Sequence, residues 1–264
     1  MARAATAVIA APWGRGMAPI MRTRGGIHWR ELRTHAPAAA RAFYGALWGW
    51  RFVEAPSPDA DSHEAWWIEA AGRRLGALRH AEHPSSWLTF VTVDDVAATA
   101  ARMHAAGGAV PVGPSALDGL GTYAVLQDAE GATLAIVAWD DASAGPADDP
   151  YPATGRFLWQ TLGVRDIPGA AARFAAALGW TCRPGPDGVL LAARGVPLAE
   201  VHGLRGPASR WLPYVAVEDV AETLARAEGA DARTVSPARP LEGGGAAGVL
   251  IDPTGALLGL LEPA

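Results

Sequence analysis

Trp87-Leu-Thr-Phe-Val-Thr-Val-Asp-Asp-Val-Ala-Ala-Thr-Ala-Ala-Arg102 returns later in the chain as Trp211-Leu-Pro-Tyr-Val-Ala-Val-Glu-Asp-Val-Ala-Glu-Thr-Leu-Ala-Arg226. The offset of 124 residues (211 − 87) holds without a gap to the end of the sequence, where Asp128-Ala-Glu-Gly131 meets Asp252-Pro-Thr-Gly255 and Leu134 meets Leu258. A repeat this long is one structural unit used twice, and the positions at which the copies differ carry the functional information. Upstream, Pro37 to Trp50 matches Pro168 to Trp180 with one residue fewer, which sets Phe174 against Phe43. Between the halves, Asp140 to Pro150 is polar, rich in Gly and Pro and without apolar period, as a linker is.

Each half reads as strand, helix, Gly-Trp strand, further strands, and then strand, helix and strands again. Ile27 to Thr34 is a predicted strand, and Pro37 stands where a helix begins. Phe43 and Leu47 are four apart and share one face of that helix, which Gly49-Trp50 ends. Trp66 to Ile68 and Leu75 to Leu78 flank a turn at Gly72, and Leu88 to Val93 is the next strand. Asp94 or Asp95 caps the second helix and Gly107-Gly108 stops it. Thr122 to Leu126 and Thr133 to Ala138 form a hairpin.

Composition narrows the functional classes. Half of the 264 residues are hydrophobic, yet no apolar run approaches the roughly 20 residues that span a bilayer. The net charge of −5 is mild and the basic residues are scattered, so neither a membrane nor nucleic acid is an expected partner. The single cysteine, Cys182, cannot form an internal disulfide, and a reducing cytoplasm is the expected compartment. Arg3 followed by Ala4 to Ala11 looks like a short signal peptide, but Pro12, Trp13 and Arg15 interrupt it. Met17 and Met21 are alternative starts, so residues 1–21 are read as a disordered or misannotated extension. There is no Walker loop, Gly-x-Ser-x-Gly elbow or Cys-x-x-Cys pair, and Ser85-Ser86 has no base nearby in sequence.

Four such modules, carrying Phe43-Tyr-Gly-Ala-Leu-Trp-Gly-Trp50, Val93-Asp-Asp-Val96, Asp128-Ala-Glu-Gly131 and their second copies, resemble the vicinal oxygen chelate superfamily. That superfamily includes glyoxalase I, extradiol dioxygenases and bleomycin-resistance proteins, and the duplication is similar to actinobacterial glyoxalase-like proteins. The resemblance implies an α+β fold of four βαβββ modules forming two similar half-open barrel domains, residues 22–140 and 151–264, joined by a linker at 141–150. Fold alone does not fix the reaction.

The resemblance also implies where a divalent metal would be held. Counted back from Phe43-Tyr44, the first ligand position is His28, and counted back from Phe174 it is Trp159. The second falls within Gly76 to Leu78 and Glu200 to His202, the third on Leu88 and Leu212, and the fourth on Ala135 and Gly259. Most of these side chains cannot coordinate, so neither a metal nor another cofactor is expected.

The remaining polar candidates have a bland and a chemical reading. His28 is either a strand histidine bonded to a backbone carbonyl or a general base titrating near neutrality. Glu200 and His202 are two apart on a strand and share a face; turned inward they form an acid–base pair, turned outward they are solvated. Glu31 lies opposite His28 and suits a cross-strand pair; Arg30 and Arg33 read as surface residues first and anion binders second. Of eleven tryptophans, Trp50/Trp180 and Trp87/Trp211 occur in both copies and read as core. Those in one copy, Trp29, Trp48, Trp66, Trp67, Trp139 and Trp159, are candidates for ligand contact, Trp66 and Trp159 first. Together with Arg30, Leu88, Phe90, Tyr123, Leu212 and Tyr214, these last two form the expected binding set.

These readings converge on a protein that binds a small aromatic or hydrophobic molecule in a Trp-lined pocket, as a monomeric pseudo-dimer or homodimer. Two alternatives remain open. One is an enzyme of the same superfamily, either a metal-dependent lyase, isomerase or dioxygenase or a metal-free acid–base catalyst using His28 or Glu200/His202. The other is an interaction module without a ligand.

Overall fold

A computed structural model describes residues 24–55, 65–70, 72–117, 120–140, 153–204 and 208–264. The expected extension at 1–21 and the linker at 141–150 lie outside these residues. Four βαβββ modules follow one another. The first is β1 (Ile27–Thr34), α1 (Pro37–Trp48), β2 (Arg51–Glu54), β3 (Ala65–Ala70) and β4 (Arg73–His80). The second is β5 (Ser86–Thr92), α2 (Val96–Ala105), β6 (Ala109–Ala116), β7 (Gly121–Gln127) and β8 (Thr133–Trp139). The third is β9 (Phe157–Val164), α3 (Ile167–Leu178), β10 (Thr181–Pro184), β11 (Gly188–Ala193) and β12 (Val196–Gly203). The fourth is β13 (Arg210–Ala216), α4 (Val220–Glu228), β14 (Arg233–Pro240), β15 (Ala246–Ile251) and β16 (Leu257–Glu262). Among the described residues, no helix is long and apolar enough to cross a membrane.

Every module has the same strand order. In the first it is β2-β3-β4-β1, with β1 parallel to β4 and the other pairs antiparallel. Its helices start and stop for local reasons. Pro37 pre-sets the first turn of α1, and Gly49 closes it at φ 68, a conformation costly for a side chain with a Cβ. Asp95 and Asp219 cap α2 and α4, accepting the N–H of Ala98 and Glu222 at 2.8 Å.

The structure corrects the upstream alignment by one residue. α1 and α3 are each twelve residues long, end on left-handed Gly49 and Gly179, and lead into Trp50 and Trp180, an offset of 130 (180 − 50). The indole N–H groups of Trp50 and Trp180 donate to the carbonyls of Gly155 and Gly25, each at 2.7 Å, and repeat the same offset. Phe174 therefore matches Tyr44 and Trp159 matches Trp29; His28 is matched by Leu158.

Two compact units are present, and they are not the two sequence copies. One comprises Met1–His28, Thr89–Pro150 and Gln160–Trp211; the other comprises Trp29–Leu88, Tyr151–Trp159 and Leu212–Ala264. The first unit is thus built from the second and third modules, and the other from the first and fourth. In the latter, Leu32 of β1 packs among Ala40, Phe43, Tyr44 and Leu47 of α1 and Val215, Leu258 and Leu260 of the fourth module. In the former, Val91, Leu134, Ile136, Leu162, Phe174 and Val201 share one core. Trp50, Trp87, Trp180 and Trp211 are all buried, as tryptophans present in both copies were expected to be.

One core position differs chemically. The Tyr44 hydroxyl donates to Asp252 Oδ2 at 2.7 Å and accepts the Trp87 indole N–H at 3.3 Å. In the other unit Phe174 has no hydroxyl. There Asp128 Oδ2 and Trp211 Nε1 are buried without a partner among the described residues.

Candidate functional site

Strand alternation puts the chemistry on the face of each sheet that does not pack on a helix. On β1, Leu32 faces α1, so Trp29, Glu31 and Arg33 face the other way. The parallel register sets Glu31 beside Ala77 and Arg33 beside Arg79 on β4, and β3 sets Trp67 beside Ala77. The Trp29 and Trp67 indoles meet edge to face, with centroids 5.6 Å apart. Glu31 is buried, and its two carboxylate oxygens each accept one Nε–H, from Arg33 at 2.8 Å and from Arg79 at 2.9 Å. A lone buried carboxylate would cost several kcal/mol, which this double clamp offsets. The cross-strand role expected of Glu31 is what the structure shows. Arg74 adds a third guanidinium, 4.6 Å over the Trp67 ring.

The same register pair carries the opposite arrangement in the third module. Glu200 on β12 stands beside Thr161 on β9, and His202 beside Gly163. Thr161 is the counterpart of Glu31 and Glu200 that of Ala77, so the carboxylate has changed strands. Among the described residues, no arginine meets it. Glu200 is buried, and Oε1 accepts the backbone N–H of Asp187 at 3.1 Å. Burial pushes its carboxyl pKa up; the Asp187 N–H opposes that rise and the Asp187 charge adds to it. Burial also pushes the His202 imidazole down, against the opposing pull of the Gly203 carbonyl and the Asp187 charge. Both groups are driven toward their neutral forms. Thr161 Oγ1 is buried beside them with no partner among the described residues.

The other expected site residues are dispersed. His28, half-buried, folds its ring so tightly against Gly26 that any Cβ there would collide with it. Arg30 is not a surface residue; it is buried with its guanidinium 4.8 Å over the Phe157 ring in the aromatic core of its unit. Trp66 turns to the helix side, where Arg41 of α1 covers it at 4.4 Å, and its neighbour Trp67 takes the opposite face. Phe90 and Tyr123 lie together, centroids 6.4 Å apart. Trp159 is buried, as are Leu88 and Tyr214, and Leu212 is half-buried. Arg79 and Asp187 escape the sequence reading, which names Trp29 and Trp67 as candidates for ligand contact. A cleft of about 320 Å³ lies elsewhere, beside Trp48 and the acidic start of α4 at Glu218, Asp219 and Glu222.

Comparison with known proteins fits this geometry. The profile of the glyoxalase-like domain family matches residues 31–137, from the buried Glu31 to Val137 within β8. Residues 31–137 are a glyoxalase-like domain, and the fold of the chain is that of vicinal oxygen chelate proteins. The glyoxalase-like chain is 27% identical over 254 residues to the putative glyoxylase CFP32 of Mycobacterium bovis, covering 90% of this chain and 94% of that protein. It is 29% identical over 125 residues to the anthracycline biosynthesis protein DnrV of Streptomyces peucetius, covering 41% of this chain and 45% of that one. The Mn(II)-bound glyoxalase of Novosphingobium aromaticivorans superposes with a TM-score of 0.63 at 17% identity, over 90% of this chain and 82% of that one. That likeness shows the fold: α+β, four βαβββ modules, half-open and not closed.

A divalent cation, which the superfamily implies, does not fit the residues of this glyoxalase-like protein. At the fourth ligand position of the last module, the Tyr214 ring lies so close over Gly259 that even a Cβ would collide. The matching pair is Phe90 and Ala135, both buried. Of the first positions that the resemblance implies, Trp159 offers no donor for a cation and His28 offers a single imidazole. Among the described residues, no three His, Cys, Asp or Glu side chains are grouped to hold a metal ion.

Proposed function

We propose that this glyoxalase-like protein binds a small planar aromatic or hydrophobic molecule without a bound metal. One observation supports the reading above the others: the Trp29 and Trp67 indoles meet edge to face on the face of the sheet turned away from α1. Indoles offer stacking area and exclude water where a cation would need open coordination positions. The two rings are nearly buried, and the guanidiniums of Arg33 and Arg79, each about a quarter exposed, are the accessible part of the face. The likeness to a protein named for anthracycline biosynthesis points the same way. Titration calorimetry with 1,4-dihydroxyanthraquinone in excess chelator tests it. Binding unaffected by chelator, and weakened about tenfold or more in Trp29→Ala, is the expected result. Binding that appears only after adding manganese or zinc would refute it.

A second reading has its own support. Glu200 and His202, both shifted toward neutral forms on one strand face, suit metal-free proton transfer to a bound ligand. A turnover whose pH profile is unchanged in Glu200→Gln would remove it. The single cysteine fits a reducing cytoplasm as the proposed compartment.

A further inference from the structure

We infer that the cleft between the end of α1 and the start of α4 binds a small alkylguanidinium cation, in the place that an arginine of the chain takes in the other unit. The cleft, of about 320 Å³, lies within the unit built from the first and fourth modules, and neither Trp29 nor Trp67 lines it. In the other unit Arg102 of α2 lays its guanidinium against the end of α3. Its Nε donates to the Ala177 carbonyl at 3.0 Å and its Nη2 to Thr99 Oγ1 at 2.8 Å. The counterparts of these two acceptors are Leu47, at the offset of 130 (177 − 47), and Thr223, at the offset of 124 (223 − 99), and both line the cleft. Thr223 Oγ1 directs its proton to the Asp219 carbonyl at 2.7 Å, as Thr99 does to that of Asp95, so toward a ligand each oxygen can only accept. Arg226, the counterpart of Arg102, also lines the cleft, yet among the described residues its guanidinium makes neither a hydrogen bond nor an ion pair. The groups that match a guanidinium's acceptors in one unit thus line an open cleft in the other.

Charge and shape agree. Beside Arg102 the ion pair of Arg24 with Asp94, at 3.1 Å, and the cap Asp95 bring the place to two arginines and two aspartates. The matching positions of the cleft hold Thr154, Glu218, Asp219 and Arg226, and Glu222 replaces Ala98. One guanidinium then faces three carboxylates, a net charge of −2 where the other unit is neutral. Asp219 already caps α4, so Glu218 and Glu222 add charge that the cap does not require. Trp48 stands where the other unit has Leu178, and stacking on Tyr44, with centroids 5.7 Å apart, fixes it as one wall. An indole beside carboxylates suits an organic cation, whose alkyl part the ring covers and whose charge the acids match.

The test compares 1-butylguanidinium with its neutral isostere 1-butylurea by titration calorimetry on the full chain at low salt. Butylguanidinium should bind about fivefold or more tightly than butylurea, and high salt should narrow the gap. The double variant Glu218→Gln/Glu222→Gln changes exposed side chains only. It should remove the preference, leave butylurea unchanged and keep the wild-type melting temperature. Equal affinities for the two compounds, a preference that survives the double variant, or no binding of butylguanidinium at millimolar concentration would each overturn the site. So would binding that appears only in Arg226→Gln, because the chain's own arginine would then be the occupant. None of these outcomes bears on ligand binding at the Trp29–Trp67 face.

Discussion

Tyr44 and Phe174 occupy the same helical position, and the single oxygen between them decides whether two other buried groups are satisfied. Where the hydroxyl is present it bridges Asp252 and the Trp87 indole. Where it is absent, the ring and indole close up to 5.1 Å, against 5.7 Å in the other unit, and Asp128 Oδ2 and Trp211 Nε1 are left without partners among the described residues. A typical buried hydrogen bond contributes about 1 kcal/mol, and an orphaned group costs about 1–3. Phe174→Tyr should therefore raise the unfolding free energy by about 1 kcal/mol, read from the urea midpoint, and Tyr44→Phe should lower it by about 1–3 kcal/mol. Both variants shifting the same way would show that the two sites are not equivalent. Glu200 gives a second prediction at this scale. Its native pKa stands above the ordinary 4.5, so its contribution to stability is fully present below that value and is lost as pH rises through the native one. Glu200→Gln should raise the melting temperature at pH 7 and make little difference at pH 4. A lower melting temperature at pH 7 would mean that the ionised carboxylate is the stabilising form.

Helix α3 illustrates the element scale. Asp166 caps it, accepting the Gly169 N–H at 3.0 Å, and Glu130 from the β7–β8 turn accepts the N–H of Asp166 at 2.7 Å and of Arg165 at 3.1 Å. Arg165 Nε and Ser209 Oγ also donate to Glu130, and its pKa is lowered to about 2, chiefly by the Asp166 N–H. Depression from 4.5 means stability that is present above the unfolded value and lost as pH falls through the native one. Arg165 is largely exposed and its share is screened, so Glu130→Gln should cost about 1–2 kcal/mol at pH 7. The cost should fade between pH 4.5 and 2; a constant difference down to pH 2 would assign the effect to packing.

The elements themselves were legible to different degrees. Ile27 to Thr34 emerged with the bounds of β1, because its flanks, Gly25-Gly26 and Pro37, are sharp. β6 did not announce itself, since Pro111 and Pro114 break any strand signal; it survives because it lies at the end of its strand order, where missing N–H donors are tolerated. The match between the opening strands of the two copies was one residue out for one reason. Matching Phe174 to Phe43 instead of Tyr44 slipped β1 by one residue, and a one-residue slip exchanges the two faces of a strand. Trp159 was thereby matched to His28, where the helix ends match it to Trp29. The pairing of Glu31 with Arg79, 48 residues on, has no periodic signature at all.

At the scale of the whole molecule, two expectations follow. Purified without chelators, the protein should hold well under one equivalent of zinc, nickel, iron or manganese, since Trp29, Trp159, Leu88, Leu212, Ala135 and Gly259 supply no donors. Stoichiometric metal by elemental analysis, surviving dialysis, would contradict the donor set. A fragment ending at Asp140 contains all of one sequence copy but only part of each compact unit. Circular dichroism should show it without a cooperative melt as a monomer; a sharp transition like that of the full chain would mean that a single copy is self-sufficient.

The interleaving of the units also has a consequence for biosynthesis. The unit that opens with Trp29–Leu88 is closed by Leu212–Ala264, so 176 residues (264 − 88) separate the end of its first segment from the end of its last. At about 5–20 residues per second, a translating ribosome takes roughly 9–35 s to cover that distance. Throughout that interval Leu32, Phe43, Tyr44 and Trp87 wait without the strands they are destined to pack against. The nascent chain, with its first apolar faces uncovered, is the form of this protein most in need of a chaperone.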